Sequence, residues 1–295
     1  KLEILAYGLL GNFNTMFSRR DILKASRKKH ARERRRIYAI IGGVSFGALA
    51  ILFVASGFLS GWSKIVIADV VAEGNSLVHT DDIVRVAREE LDGKYFFLFH
   101  RDNIFLYPKN RISSRLGEEF KRIADVDIRR NSLTGIRIVI TEHKPAYLWC
   151  GDDMPEEEFT LLETCYFADE KGYVFSKAPD FSGNVFFELF GPLSGEGIDP
   201  IGRRFLDSLA FTKLILFKDA VAGYGGEAVK FAVTKDGDHI FILNNGSKII
   251  FGADQDFDTL TGNLDAVSAT LPQNAPIEYI DLRYGNKVFF KEKKE

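Results

Sequence analysis

The sequence predicts an α+β protein. It reads as one membrane-spanning helix, then a small domain ordered strand, helix, helix, strand, strand, then a mixed, mainly antiparallel β-domain carrying two helices. Three observations predict this. Residues 37–62, IYAIIGGVSFGALAILFVASGFLSGW, hold no charged side chain. Beyond them, apolar residues recur every four positions at Ile83, Ala87 and Leu91 and again at Ile112, Leu116 and Phe120, as on helices with one buried face. From residue 147 onward, short apolar runs bounded by Gly, Asn and Asp dominate, as in a sheet.

As a helix, residues 37–62 would rise about 39 Å at ~1.5 Å per residue, against a hydrocarbon core about 30 Å thick. That length crosses a bilayer with tilt. Tyr38 and Trp62 stand where an interfacial aromatic belt belongs. A cleaved signal peptide is the rival, since Ala55, Ser56 and Gly57 are small. Its apolar region is normally about 7–15 residues, so the longer run here is read as an anchor. Charge orients the anchor. The overall charge of −2 divides into +8 over residues 1–36 and −10 over residues 63–295. Basic flanks resist translocation, so 1–36 is expected as a cytoplasmic tail and 63–295 outside the membrane. Met16 opens the basic segment and is read as the translation start. The run Arg27, Lys28, Lys29, Arg32, Arg34, Arg35 and Arg36 is read as a topology determinant rather than a nucleic-acid contact. Gly43 with Gly47, and Gly57 with Gly61, form two GxxxG pairs that would let another membrane helix approach closely.

The small domain covers residues 63–145. A β-rich run at 65–73 ends at the turn pair Gly74-Asn75. Thr80 is a good N-cap with Asp81 and Asp82 in the first turn, and Gly93 closes that helix. The second helix follows Pro108. Strands are expected at 124–130 and around Ile136, Ile138 and Ile140. The β-domain covers 146–291, with strands at 147–150, 165–169, 173–175, 185–190, 227–234, 239–243 and 248–251. Its helices are expected at 201–218, behind Pro200, and at 257–271, before Pro272. The last strands, 279–284 and 287–290, are joined by the hairpin signal Gly285-Asn286. Residues 292–295 form a charged tail.

Catalytic signatures are missing from the sequence. It has no GxSxG elbow, no P-loop and no HExxH. None of His30, His79, His100, His143 and His239 has a His or Cys partner at metal-ligand spacing. Asp152-Asp153 reads as solvated loop charge, and Gly223-Tyr224-Gly225-Gly226 lacks the strand-to-helix context of a nucleotide loop. No catalytic residue, metal or cofactor is expected from these patterns. The alternatives are a membrane-anchored extracytoplasmic cell-wall enzyme, which needs a cleft, and a sensor ectodomain, which usually needs a larger cytoplasmic output domain. Cys150 and Cys165 bracket an acidic insertion containing Glu156, Glu157 and Glu158. They are either a disulfide, contributing about 3 kcal/mol through loop closure, or two buried thiols.

Four local patterns occur in order behind the span. They are Glu73-Gly74-Asn75 followed by Thr80-Asp81-Asp82-Ile83, then Thr141-Glu142-His143-Lys144-Pro145-Ala146-Tyr147-Leu148-Trp149, then Phe167-Ala168-Asp169-Glu170-Lys171-Gly172-Tyr173-Val174-Phe175, and last Tyr279-Ile280-Asp281-Leu282-Arg283-Tyr284. Together they resemble the FtsQ/DivIB bacterial cell-division family over almost all of residues 19–291. The resemblance implies a POTRA domain at 63–145 and an FtsQ-type β-domain at 146–291. It implies a non-enzymatic, bitopic scaffold in the cell (inner) membrane at the division septum, helping to control septal peptidoglycan synthesis. It implies that the POTRA domain and the membrane helix meet other divisome proteins. It also implies that the C-terminal strand takes an added strand from FtsB, which works with FtsL. The contacts carried over are Arg283, Tyr284, Lys287, Val288, Phe289 and Phe290. Strand addition needs an edge with free N–H and C=O groups. Phe289 and Phe290 are neighbours and point to opposite faces of a strand. One is expected in the core and the other toward solvent or a partner.

Overall fold

The computed structural model describes residues 19–155, 164–181, 183, 185–224, 226–269 and 277–293. Met16, the insertion residues Glu156, Glu157 and Glu158, Gly225, the expected helix end at Leu271 and the last two residues of the tail lie outside them. In chain order the first elements are α1 (Arg19–Ser60), β1 (Asp69–Glu73), α2 (Thr80–Leu91), β2 (Lys94–Tyr95), β3 (Phe99–His100), α3 (Lys109–Glu119), β4 (Ile123–Arg130) and β5 (Gly135–Glu142). Then come β6 (Tyr147–Trp149), β7 (Tyr166–Ala168), β8 (Val174–Lys177), β9 (Phe187–Phe190), α4 (Ser208–Val221), β10 (Ala228–Val233), β11 (Asp238–Leu243), β12 (Lys248–Gly252), α5 (Phe257–Ser268), β13 (Ile277–Tyr284) and β14 (Lys287–Glu292). The protein is a mixed α+β chain with one apolar N-terminal helix and a large mixed sheet. It divides into two compact units, Lys1–Ile67 with Asp92–Tyr107, and Ala68–Leu91 with Pro108–Glu295.

In the first unit, Arg32–Ser60 of α1 is long and apolar enough to cross a membrane. Phe46 and Phe58 are 75% and 77% exposed, unlike the side chains of a core helix. The helix runs unbroken through the basic stretch, because Arg, Lys, Ala and Glu are good helix formers. The β2–β3 hairpin also belongs to this unit and was not expected from the sequence.

In the second unit, β1, β5 and β4 form a three-stranded sheet in that order, with β1 parallel and β4 antiparallel to β5. Helices α2 and α3 bury Ile83, Val86, Ala87, Leu91, Ile112 and Leu116. Val70, Ile123, Ile128, Ile136, Ile138 and Ile140 are the buried apolar side chains of the sheet. The loop from β1 to α2 is tied to β5 by one side chain. Glu142 accepts hydrogen bonds from the backbone N–H of Ser76 (2.6 Å), Leu77 (2.9 Å) and Val78 (3.0 Å). Burial pushes this carboxyl up, but the three backbone donors outweigh it and hold the group below its ordinary value. A depressed folded-state pKa stabilises the fold above the unfolded value, about 4.3, and that stability is lost as pH falls through the folded value. Glu142→Gln is therefore expected to melt earlier than the parent at pH 7. It should lose less stability than the parent as pH drops below about 5, which thermal melts across that range will check.

The larger sheet has nine strands in the order β14-β13-β12-β11-β10-β9-β6-β7-β8. Strands β9, β6 and β10 run parallel to one another, as do β12 and β13, and the remaining pairs are antiparallel. Phe211, Leu214 and Phe217 of α4 and Leu260 and Leu264 of α5 pack with Phe231, Phe241, Phe251 and Leu282 of the sheet in one apolar core. The rings meet edge-on or tilted, as Phe217 does on Phe251 at 5.1 Å, which adds to their large apolar burial. Helix α4 begins seven residues later than Pro200 suggested. The Asp207 side chain accepts from the N–H of Leu209 and Ala210, both at 3.0 Å, and so sets the start. Residues 202–205 instead run beside 172–174, at the start of β8. Val174 N–H donates to Arg203 O, Gly202 N–H donates to Val174 O, and Arg204 bridges to Tyr173 and Ser194.

Trp149 pairs with Tyr166 across β6 and β7, so the next residues outward, Cys150 and Cys165, face each other and are disulfide-bonded. The double variant Cys150→Ala, Cys165→Ala is expected to lose about 3 kcal/mol of stability by the loop-closure account. Urea titration of the variant beside the oxidised parent checks it, and equal midpoints would contradict it.

Candidate functional site

The end of the large sheet is built on β13. Ile280 and Leu282 lie in the core. Its backbone is held from three directions: Gln255 Nε2 donates to Leu282 O (2.8 Å), Asn263 Nδ2 to Gly285 O (2.6 Å) and Ser247 Oγ to Ile277 O (2.7 Å). Gly285, at φ +65°, makes the turn into β14. Strand β14 then pairs Lys287 with Tyr284, Phe289 with Asp281, Phe290 with Ile280 and Lys291 with Tyr279. It is last in the sheet, and no strand among the described residues pairs with its outer edge. At the opposite end, residues 202–205 pair with 172–174 and so meet β8 only at Val174.

The side chains of β14 depart from expectation. Val288 is half-buried against the core, while Phe289 and Phe290 are 52% and 44% exposed. Neither ring enters the core. A strand with a neighbour on one side only is covered from that side at most, and the smaller Val288 takes the single sheltered position. Phe289 packs edge-to-face on Tyr284 at 5.2 Å, and Tyr284 is itself 55% exposed. Phe289 and Phe290 stand on the outermost strand and Tyr284 at the end of its neighbour, with Lys287 and Lys291 flanking the two phenylalanines in sequence. Lys291 Nζ reaches Glu278 at 2.7 Å. Charges of this kind also keep an edge soluble.

Arg283 is exposed, but its guanidinium is paired within the chain. Its guanidinium donates from Nε to Asp281 Oδ1 (3.0 Å), from one terminal nitrogen to Asp281 Oδ2 (2.6 Å) and from the other to Asp238 Oδ2 (2.6 Å). Donating to the Asp281 and Asp238 carboxylates raises the Arg283 pKa further. Burial pushes the Asp281 carboxyl up, and the Arg283 side chain and N–H outweigh it, holding Asp281 below its ordinary value. The clamp fixes β13 to β11 and stiffens the site. Asp281 and Asp238 were missed in the sequence. Asp281 and Arg283, two apart on one strand face, carried the available signal.

The other candidates fall elsewhere. Gly43 and Gly47 have open space where a Cβ would be. At Gly57 and Gly61 the close approach comes from the chain's own hairpin, from Leu98 and His100, and not from a second helix. His143 Nδ1 meets Asp169 Oδ2 at 2.8 Å and stacks on Phe175. His239 is wedged between Phe231 and Phe251, and burial lowers its pKa. Asp153 is exposed, 4.0 Å from Lys235. Gly223 lies in a 3-10 turn after α4. Among the described residues, no three His, Cys, Asp or Glu side chains group to hold a metal ion.

Among the described residues, fold and site together define the class: a chain with one helix long and apolar enough to span a membrane, and a mixed sheet whose last strand has exposed aromatics and no further strand beside it. No protein-family model matches the chain, and a search of curated proteins finds no match.

Proposed function

We propose that this chain is a non-enzymatic, bitopic scaffold of the FtsQ/DivIB type. Its N-terminus is cytoplasmic, its folded domains are extracytoplasmic, and it acts at the division septum. The observation that carries the reading is the outer edge of β14, unpaired among the described residues, with Phe289 and Phe290 exposed on it and Tyr284 exposed on the rigidly held β13. Such an edge takes an extended segment by main-chain pairing, and aromatic side chains beside it supply anchors. The order β1-α2-α3-β4-β5, interrupted by the β2–β3 hairpin between the two helices, with a β1-β5-β4 sheet, supports a POTRA domain as the recruitment module. The charge step from +8 to −10 across the apolar helix supports the orientation. FtsB- and FtsL-like proteins are the partners in this reading, and septal peptidoglycan synthesis is the process they help control. The test is calorimetric titration of the full chain in lipid nanodiscs with an FtsB–FtsL ectodomain pair. Saturable binding is expected. Its absence would remove the edge reading and turn attention to the POTRA domain or the membrane helix.

A further inference from the structure

The β2–β3 hairpin carries a feature that strand addition leaves unused. Its tip reads Tyr95-Phe96-Phe97-Leu98-Phe99. Leu98 N–H donates to Tyr95 O, and the two residues between, Phe96 and Phe97, have φ of +49° and +60°. That turn is normally made by Asn and Gly, because a Cβ in the left-handed region costs about 1–2 kcal/mol per residue. Here two phenylalanines occupy it, and they are 82% and 95% exposed. Strain at two bulky apolar residues displayed to the outside asks for a function.

The hairpin's contacts say what covers it. Asn103 Nδ2 donates to Ser60 O at 2.8 Å, and His100 N–H donates to Ser60 Oγ at 3.1 Å. The His100 ring lies over Gly61 and Leu98 over Gly57, where a Cβ would come within 2.6 Å and 3.0 Å of them. Phe99 packs edge-to-face on Phe53 at 5.0 Å. The hairpin therefore runs back along the apolar helix, from Ser60 toward Phe53. A hydrocarbon core about 30 Å thick takes about 20 helical residues. Counted from the last residue of the basic run, Arg36, it ends near Ser56. Phe53 then lies within the outer leaflet, and Ser60 and Gly61 lie among headgroups. At that level the cations are paired with rings: Arg101 stands over Tyr95 at 5.4 Å and Lys64 over Trp62 at 5.5 Å. Amphipathic pairs of this kind suit the interface.

We infer that the hairpin tip is a lipid anchor: Phe96 and Phe97 enter the outer leaflet beside the helix, about 5–10 Å below the headgroups. This rests on the reading of α1 as a membrane span. Two attachments, a helix and an aromatic tip, would fix the rotation of the first unit about the helix axis. A single helix leaves that rotation free.

The test is tryptophan quenching in the full chain, reconstituted in bilayers containing lipids brominated near the headgroup end of the acyl chain. Trp62→Phe is the background, with Trp149 as a constant baseline. Phe97→Trp reports the tip and Val54→Trp reports the helix. The added emission at both positions is expected to be quenched, with a blue shift of the tip fluorophore. Quenching at Val54→Trp but not at Phe97→Trp would overturn the anchor, leave the span standing and give the tip to water or to a protein partner. No quenching at either position would remove the span and the anchor together.

Discussion

The double variant Tyr284→Lys, Phe290→Lys is expected to weaken binding of the FtsB–FtsL ectodomain pair by about a hundredfold or more, with the protein still folded. Truncating an aromatic anchor at an interface costs about 2 kcal/mol or more, and two such losses exceed a factor of 100. The fold should not suffer. Tyr284 and Phe290 are 55% and 44% exposed, and the β13–β14 pairing uses backbone groups that the substitutions leave in place. Lysine is also a natural edge residue. Arg283 would be a poor probe. Removing it strands the buried Asp281 carboxylate, so lost binding and lost stability would be confounded. Calorimetry of parent and variant in nanodiscs, with circular dichroism as the folding control, separates the outcomes. A folded variant that binds like the parent would end the edge-strand reading.

The sequence carries the local part of this architecture and not the long-range part. Helix faces were legible because Ile83, Ala87 and Leu91 repeat at helical spacing, and all three are buried. The final hairpin was legible because Gly285-Asn286 supplies the turn chemistry. Strand order was not. That β9 lies between β6 and β10, parallel to both, depends on pairings that no local signal encodes. The β2–β3 hairpin was hidden because its turn holds Phe96 and Phe97 in place of Asn and Gly. The start of α4 was misread because Pro200 suits a first helical turn, whereas the stronger N-cap is Asp207. At the candidate site the edge position of β14 was anticipated through resemblance. The Arg283–Asp238 clamp was not, since it joins residues 45 apart in the chain. Burial of Val288 in place of a phenylalanine is likewise a consequence of the edge, visible only once the sheet is assembled.

Gly74→Ala is expected to be among the most destabilising single changes in the chain, costing about 3 kcal/mol or more. Gly74 has φ +84°, where a Cβ alone costs about 1–2 kcal/mol. The added carbon would also stand 2.4 Å from the carbonyl oxygen of Ile140, which belongs to the central strand of the three-stranded sheet. That oxygen cannot swing away as a side chain would. The next residues, Ser76 to Val78, are pinned by Glu142, so the turn cannot move off either. Gly237→Ala is the matched control, since Gly237 has φ +85° but nothing within 4 Å of its Cβ position. It should show only the conformational cost. Urea midpoints of both variants, compared with the parent at equal slope, measure the difference directly. If the two alanines cost the same, the turn at Gly74 relaxes in a way that the packing of β1 against β5 does not allow. The close backbone approach would then no longer explain why Glu73-Gly74-Asn75 has the form it does.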